Sequence, residues 1–243
     1  MNAFDDRILG FISQKWLHRP ALQGVVMLFA GNDLLKGGVL VAALWWIWMQ
    51  PDPDQRRRRE VVVISIVAAL IAAGLSRTVT RLVPFRPRPF DAPGLHLDMP
   101  LVSLFEAKGG SFPSDHMALA CALATGVFLV WRRVGLALGA YALLFVGLPR
   151  MYLGIHWATD VIGGAVLGIA TTALLNQQRI RSTVAQPAMR WHDRNPGMFY
   201  ACMFLVSFGL MKRFEDFREI ARVTLGGTYH VLRAAMSLIT ARW

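Results

Sequence analysis

Apolar residues in this chain are gathered into long runs that short polar segments separate. The runs cover residues 21–49, 61–83, 117–130, 134–148, 157–175 and, more briefly, 198–211. A helix rises about 1.5 Å per residue, so about 20 apolar residues cross the hydrocarbon core of a bilayer. The pattern therefore predicts an all-α fold, an integral membrane helical bundle with five or six transmembrane helices.

The two ends of the chain differ from these runs. Residues 3–18 place apolar side chains at helical spacing with charged ones between them, which predicts an N-terminal interfacial helix. Residues 1–178 are interpreted as the membrane domain, and residues 179–243 as a C-terminal part that starts with a Pro- and Gly-containing linker at 182–197. Residues 198–211 would be either a sixth transmembrane helix or an interfacial helix, and positive charge at both ends favours the second.

Composition supports a membrane location. Of 243 residues, 55% are hydrophobic and 17% are charged, whereas a soluble domain carries about 25% charged residues. The formal net charge is +11, but the arginines lie in loops between apolar runs. Such loops mark the cytoplasmic side of a membrane, so we expect a membrane partner and no nucleic acid.

The arginine-rich loops also predict the topology. If Arg56–Arg59, Arg132–Arg133 and Arg179–Arg181 are cytoplasmic, the alternation of helices puts a second set of polar residues on the opposite face. That set contains Arg81, His116, Arg150 and His156. We therefore expect a multi-pass protein of the cytoplasmic (inner) membrane whose active site faces outward.

His156 and Asp160 are candidates for nucleophilic chemistry. Residues four apart on a helix share a face. A carboxylate bonded to one ring nitrogen would fix the tautomer and leave the other nitrogen to attack phosphorus. The alternative is an interfacial histidine beside an aspartate at a helix N-terminus.

Ser114, Asp115 and His116 begin an apolar run. The N–H groups of a helix start and a serine hydroxyl can bind an anion, and His116 there could protonate a departing oxygen. Asp115 would favour the protonated imidazole. The alternative is that Ser114 or Asp115 is only a helix cap.

Three arginines are candidates for phosphate binding: Arg81, Arg88 and Arg150. Each guanidinium group could bind two phosphate oxygens at once and stabilise the charge of the transition state. Each alone could instead be an arginine that extends from a helix end to the membrane surface. Three such residues beside two histidines favour a phosphate site.

Asp33 is a further candidate, as a residue that would orient the site residues without touching the substrate. It lies about one membrane thickness back from the Arg56 block, so it could orient Arg81, Arg88 or His116. Pairing with Lys36 on the same helix is the alternative.

The order Arg81-x6-Arg88-Pro89, Pro113-Ser114-Asp115-His116 and Arg150-x5-His156-x3-Asp160 resembles the three-part signature of the type 2 phosphatidic acid phosphatase superfamily. The resemblance implies that His156 is a nucleophile that forms a phosphohistidine, with Asp160 as its partner and His116 as the acid for the leaving group. It also implies no metal, no other cofactor, and a set of substrate phosphate-binding residues: Arg81, Arg88, Ser114, Asp115 and Arg150.

Three positions depart from the family pattern. Arg81 stands for the usual Lys, Asp115 for the usual Gly, and Pro149 for the usual Ser. Arg81 keeps the charge, whereas Asp115 adds a negative charge near an anionic substrate and Pro149 removes a hydroxyl. The Pro-Ser-Asp-His form is similar to that of bacterial undecaprenyl-diphosphate phosphatases.

The resemblance implies a membrane lipid phosphatase that removes the terminal phosphate of an isoprenoid (undecaprenyl) diphosphate. Phosphatidate, phosphatidylglycerol phosphate and phosphorylated lipid sugars are alternative substrates. A non-catalytic lipid-phosphate carrier is less favoured, because it would need the arginines but not two histidines and an aspartate. The expected partners are the lipid phosphate substrate and the membrane; the sequence is silent on oligomeric state.

Overall fold

The computed structural model describes residues 2–16, 19–92 and 109–212. Within these ranges the secondary structure is helical, without strands, which confirms the all-α class. Residues 213–243 of the predicted C-terminal part lie outside the described residues.

The helices follow one another in chain order as α1 (Ala3–Trp16), α2 (Pro20–Gly31), α3 (Val39–Met49), α4 (Gln55–Leu82), α5 (Asp115–Val130), α6 (Arg132–Ala142), α7 (Leu148–Tyr152), α8 (Ala158–Leu175), α9 (Gln178–Arg194) and α10 (Pro196–Met211). A π-helical turn, Leu34–Gly38, precedes α3, and a second one, Leu143–Gly147, joins α6 to α7.

Three segments are long and apolar enough to cross a membrane. They are α4, the continuous segment Arg132–Tyr152 that contains α6 and α7, and α8. Helices α2 and α3 would make a fourth span if taken together, but they are bent by 66° at a break. The break follows Asn32, whose side-chain oxygen accepts the backbone N–H groups of Leu34 and Leu35 and so starts the next turn.

Helix α5 is shorter, at 16 residues, yet its ends lie in different layers of the bundle. It starts beside the motif residues, and Trp131 at its other end lies against Trp46, with 4.5 Å between ring centroids. Arg58 lies over the same Trp131 ring at 5.1 Å. The arginine-rich ends of the helices therefore share one layer, which we call the arginine layer (Arg58, Trp131 and Arg181).

Helices α5 and α8 approach each other closely through two glycines. A Cβ atom at Gly164 would overlap the carbonyl oxygen of Ser114, and one at Gly168 would overlap that of Ala118. Small residues let helix backbones come together in lipid. The contact places the start of α8 against the start of α5, which is where the motif residues lie.

Most of the segment interpreted as a linker, residues 182–197, is helical, since α9 runs continuously from Gln178 to Arg194. Ala185 and Met189 are buried, so one face of this segment packs against the bundle. Pro187 is tolerated inside the helix because the carbonyl it leaves unpaired belongs to the exposed residue Thr183, where water can reach it.

Helix α10 lies lengthwise along α3, antiparallel to it. The indole of Trp48 donates to Tyr200 at 3.1 Å, and that of Trp45 donates to Ser207 at 3.0 Å. The far end, at Met211, lies against Gly37. Helix α10 buries Phe199 and Leu210 against the bundle and leaves Phe204 and Leu205 exposed. Whether it is a sixth transmembrane helix or an interfacial helix stays a prediction.

Candidate active site

Residues from all three motifs meet at the ends of the helices opposite the arginine layer. His116, Arg150 and His156 are 9%, 6% and 5% exposed, so the site is nearly enclosed. One nitrogen of each histidine and one oxygen of Asp115 lie within 4.8 Å of one another. The two imidazoles are therefore close enough to contact the same phosphate group.

Helix α4 and helix α8 hold the loop that carries the second motif. The hydroxyl of Ser76 donates to the carbonyl of Pro113 at 3.0 Å, and that of Thr80 donates to the carbonyl of Phe112 at 2.8 Å. The N–H of Ser114 donates to the backbone carbonyl of Asp160 at 3.0 Å. Backbone groups thus fix the start of α5 against the third motif.

His156 is oriented by a backbone carbonyl. Its Nδ1 lies 2.9 Å from the carbonyl oxygen of Ser111, which can only accept, so Nδ1 carries the proton and Nε2 keeps its lone pair. Burial lowers the pKa of His156, and the charge of Arg88 lowers it further, while Asp160 and Asp115 act in the opposite direction. The neutral imidazole, which is the nucleophilic form, is favoured.

Asp160 does not make the bond to His156 that the sequence predicted. Its carboxylate is 3.7 Å from Nδ1, and one oxygen instead accepts the N–H of Trp157 at 2.8 Å. The other oxygen accepts Arg86 at 2.6 Å. The reason is that His156 precedes the start of α8, so the shared face of residues four apart does not apply, and Asp160 turns back to cap the first turn.

His116 is held at both ring nitrogens. Nδ1 bonds to Asp115 at 2.8 Å, and Nε2 lies 2.5 Å from a guanidinium nitrogen of Arg150. Arginine can only donate, so Nε2 is an acceptor in this arrangement and the ring proton is on Nδ1.

Ser114 occupies the N-cap position of α5, but its hydroxyl makes no capping bond. The hydroxyl oxygen is buried and has no hydrogen-bond partner among the described residues. A buried hydroxyl without a partner is costly. It therefore favours the ligand-binding interpretation of Ser114 over the simple cap.

Arg88 holds the backbone on either side of the site in addition to bringing positive charge to it. Its guanidinium donates to the carbonyls of Ile155 at 2.9 Å, Gly110 at 3.2 Å and Gly109 at 3.3 Å. Of the five N–H groups of an arginine, these bonds to described residues leave two for a phosphate. Burial lowers the pKa of Arg88, which Asp115 and Asp160 partly offset.

Arg81 and Asp33 have no observed bond to the motif histidines among the described residues. Arg81 is exposed at the end of α4, and Arg77, one turn earlier, is the arginine that reaches Asp115, at 3.4 Å. Asp33 forms an ion pair with Lys36 at 2.8 Å, which is the alternative that the sequence left open. Phosphate binding by Arg81 stays a prediction.

Four contributors were not identified from the sequence: Asp5, Arg77, Arg86 and Ser111. Arg86 stands two residues before Arg88 in an Arg-Pro-Arg-Pro segment, which is a signal that could have found it. Ser111 acts through its backbone, so its side chain carries no signal. Asp5 is a buried carboxylate of α1, and a sequence pattern does not reveal which charge of a surface helix is buried.

Asp115, His116 and His156 are close enough to hold a metal ion. The groups around them oppose a cation, because the guanidinium of Arg150 lies 2.5 Å from Nε2 of His116 and the charge of Arg88 acts on His156. Guanidinium groups and a serine hydroxyl suit phosphate oxygens. The donor set fits an anion better than a metal.

Comparison with known proteins agrees with this geometry. The pattern of the PAP2 superfamily matches residues 62–183. The chain is 28% identical over 152 residues to undecaprenyl-diphosphatase BcrC of Bacillus subtilis (strain 168), covering 63% of this chain and 72% of BcrC. It is 30% identical over 145 residues, 58% of this chain and 66% of the relative, to YbjG of Escherichia coli (strain K12), provisionally named an undecaprenyl-diphosphatase. No solved structure matches the chain.

Proposed function

Because the chain belongs to the PAP2 superfamily, we propose that it hydrolyses the terminal phosphate of undecaprenyl diphosphate at the outer face of the cytoplasmic membrane. The family and the undecaprenyl-diphosphatase relatives support lipid phosphatase activity. The observation that carries the proposal is the pair of buried imidazoles, His116 and His156, which lie close enough to contact the same phosphate group.

In the first step, Nε2 of His156 attacks the terminal phosphorus. A nitrogen–phosphorus bond forms while the bond from phosphorus to the bridging oxygen breaks. The electron pair leaves on that oxygen, and His116 supplies the proton that makes lipid monophosphate a good leaving group. The Nδ1–H of His156 stays on the carbonyl of Ser111, and Asp160, 3.7 Å away, stabilises the positive ring.

In the second step, water attacks the phosphohistidine. His116, now neutral, takes a proton from the water as an oxygen–phosphorus bond forms and the nitrogen–phosphorus bond breaks. Inorganic phosphate leaves, and both histidines return to their starting protonation states. Arg88 and Arg150 stabilise the charge on the equatorial oxygens in both steps.

Arg150 links substrate binding to the acid. In the structure its guanidinium donates to Nε2 of His116, the nitrogen that must carry the transferred proton. A phosphate dianion is a stronger acceptor than a neutral imidazole. Phosphate binding therefore draws Arg150 away, Nε2 takes up a proton from solvent, and Nδ1–H remains on Asp115.

Two features favour a lipid diphosphate. Leu82 and Phe85, between Arg81 and Arg88, are 79% and 71% exposed, so apolar surface lies next to the phosphate site where a lipid chain would enter. Arg77 and Arg81 follow each other by one turn on α4, and Arg77 reaches Asp115. They provide positive charge for the second phosphate, which becomes the leaving group.

The test is phosphate release by purified protein from undecaprenyl diphosphate, undecaprenyl monophosphate and phosphatidate in matched detergent micelles. We expect the diphosphate to be preferred, His156→Ala to be inactive, and a chelator to have no effect. Equal activity of the wild type and His156→Ala would reject the mechanism. Preference for phosphatidate would reject the substrate, and binding without release would support the carrier alternative.

A further inference from the structure

Asp5, on the N-terminal helix α1, bonds to Arg86 and Thr159 near His156, although it is far from them in sequence. It is 1% exposed, and the observed bonds of its carboxylate go to Thr159 and Arg86. One carboxylate oxygen accepts the N–H of Thr159 at 2.9 Å. The other accepts the Thr159 hydroxyl at 2.7 Å and the guanidinium of Arg86 at 2.5 Å.

Arg86 joins this carboxylate to Asp160. One of its terminal nitrogens bonds to Asp160 at 2.6 Å and to the hydroxyl of Thr159 at 2.8 Å, while the other bonds to Asp5. The guanidinium also lies 5.6 Å from the centre of the Trp157 ring. Two carboxylates thus share one guanidinium, and the three groups together carry one negative charge.

Arg86 is connected to His156 by two routes. Through its side chain it bonds Asp160, whose other oxygen is 3.7 Å from Nδ1 of His156. Through its backbone carbonyl it accepts the N–H of Ser111 at 3.0 Å. The carbonyl of the same Ser111 accepts Nδ1–H of His156 at 2.9 Å.

The shared guanidinium sets how much negative charge faces His156. With Asp5 present, Arg86 divides its bonds between two carboxylates, so Asp160 is only partly neutralised. Without the charge of Asp5, Arg86 and Asp160 would form a neutral pair, and the positive ring that develops at His156 would lose stabilisation. A buried ion cluster is weak evidence for stability, because desolvation offsets most of its attraction.

We propose that Asp5 and Arg86 are positioning residues for the nucleophile, so that helix α1 contributes to the active site in addition to its predicted place at the membrane interface. Asp5 keeps Arg86 shared, and Arg86 holds both Asp160 and the Ser111 carbonyl against His156. The kinetic readout of this inference rests on the proposed phosphatase function.

The experiment compares Asp5→Asn with Asp6→Asn. The two aspartates are neighbours, but the Asp6 side chain is exposed, so Asp6→Asn removes the same charge without touching the cluster. We expect Asp5→Asn to lower kcat for the lipid diphosphate by roughly 10- to 100-fold, as loss of a supporting residue commonly does, with KM within about twofold. Asp6→Asn should match the wild type.

A pH measurement separates positioning from simple anchoring. The charged groups that face His156 are Asp160, Arg86 and Arg88, the second-motif pair Asp115 and His116, and Arg150. Removing the charge of Asp5 makes this surrounding less negative. We expect the titration midpoint of the His156 imidazole, followed by NMR of nitrogen-labelled histidine, to move to lower pH by about half a unit.

Thr159→Val provides the matched variant that weakens the docking of α1 but keeps every charge. It should leave the His156 midpoint in place. If Asp5→Asn only lowered the amount of folded enzyme, the whole pH–rate profile would fall without shifting, and the inference would be overturned. It would also be overturned if the NMR midpoint did not move. The NMR readout does not need turnover, so it tests the inference even if the wild type proves inactive on lipid diphosphates, a result that would reject only the proposed function.

Discussion

The Nδ1 of His156 donates to the carbonyl oxygen of Ser111 at 2.9 Å, while the carboxylate of Asp160 lies 3.7 Å from the same nitrogen. A carbonyl fixes the tautomer as well as a carboxylate does, but it has no net charge to offset a positive ring. Orientation and charge stabilisation, which a single aspartate supplies in a catalytic triad, are divided here between two residues.

This division predicts the effect of Asp160→Asn. The amide oxygen can still accept the N–H of Trp157, and Ser111 still orients the ring. The substitution removes the charge and the acceptor of Arg86 but leaves the tautomer of His156 in place. In a triad where the aspartate sets the tautomer, the same substitution costs about 10⁴-fold in kcat. We expect a smaller loss here, about 10²-fold, measured as phosphate release. A loss as complete as that of His156→Ala would contradict the division of roles.

The pH dependence of kcat/KM should reflect the burial of His156. Burial lowers the pKa of this imidazole, so the neutral nucleophile persists below the ordinary value of about 6.5. The acidic limb of the profile should therefore lie below that pH. The same shift makes the unfolded chain bind more protons than the folded one below about pH 6.5, so stability falls as the pH drops. An acidic limb at or above pH 6.5 would contradict this prediction.

Asp115 should affect binding and turnover in opposite directions. Its carboxylate holds Nδ1 of His116 but also adds negative charge beside the phosphate. Asp115→Asn keeps the side-chain size and removes the charge. We expect KM for the diphosphate to fall by a few fold, because repulsion is relieved, and kcat to fall by about tenfold, because the acid is less well supported. Steady-state kinetics checks both, and a rise in KM would be the wrong sign.

Much of the fold could be predicted because helix length and arginine placement obey simple physics. The apolar runs end near Arg58, Trp131 and Arg181 on one side, which predicts the arginine layer and, at the opposite helix ends, the layer of motif residues. The break near Asn32 and the path of α9 could not be predicted. The break depends on the Asn32 side chain, which caps the next turn. The continuity of α9 depends on Pro187, which is tolerated because the carbonyl that it leaves unpaired is exposed.

The site was predicted as a set of residues but not as a set of bonds. Motif spacing identified His116, Arg150 and His156, which do meet. It could not identify Ser111, because the group that acts is a backbone carbonyl, which every residue type has. It also could not show that the Asp160 carboxylate bonds to Arg86 and to the N–H of Trp157 instead of His156. Spacing along a helix is informative only when both residues lie within that helix.

Arg88 and Arg81 should respond differently to lysine. Arg88 donates to three backbone carbonyls, and an ammonium group on a flexible stem cannot reproduce that planar arrangement. Arg81 is exposed, and lysine there keeps the charge. We expect Arg88→Lys to lower kcat/KM by at least about tenfold and Arg81→Lys by less than about threefold. Equal losses would show that the carbonyl contacts of Arg88 do not matter.

The close contact of α5 and α8 should make Gly164 intolerant of a methyl group. A Cβ there would overlap the carbonyl of Ser114 and push the start of α8 away from the start of α5, which separates His156 from His116. We expect Gly164→Ala to destabilise the protein by about 1–3 kcal/mol and to lower activity more than stability alone explains. Gly74→Ala in α4 is the control, because a Cβ there meets nothing within 4 Å, and alanine is the better helix former by about 1 kcal/mol. Thermal unfolding in detergent and phosphate release, measured on both variants, test the prediction, and equal behaviour of the two would contradict it.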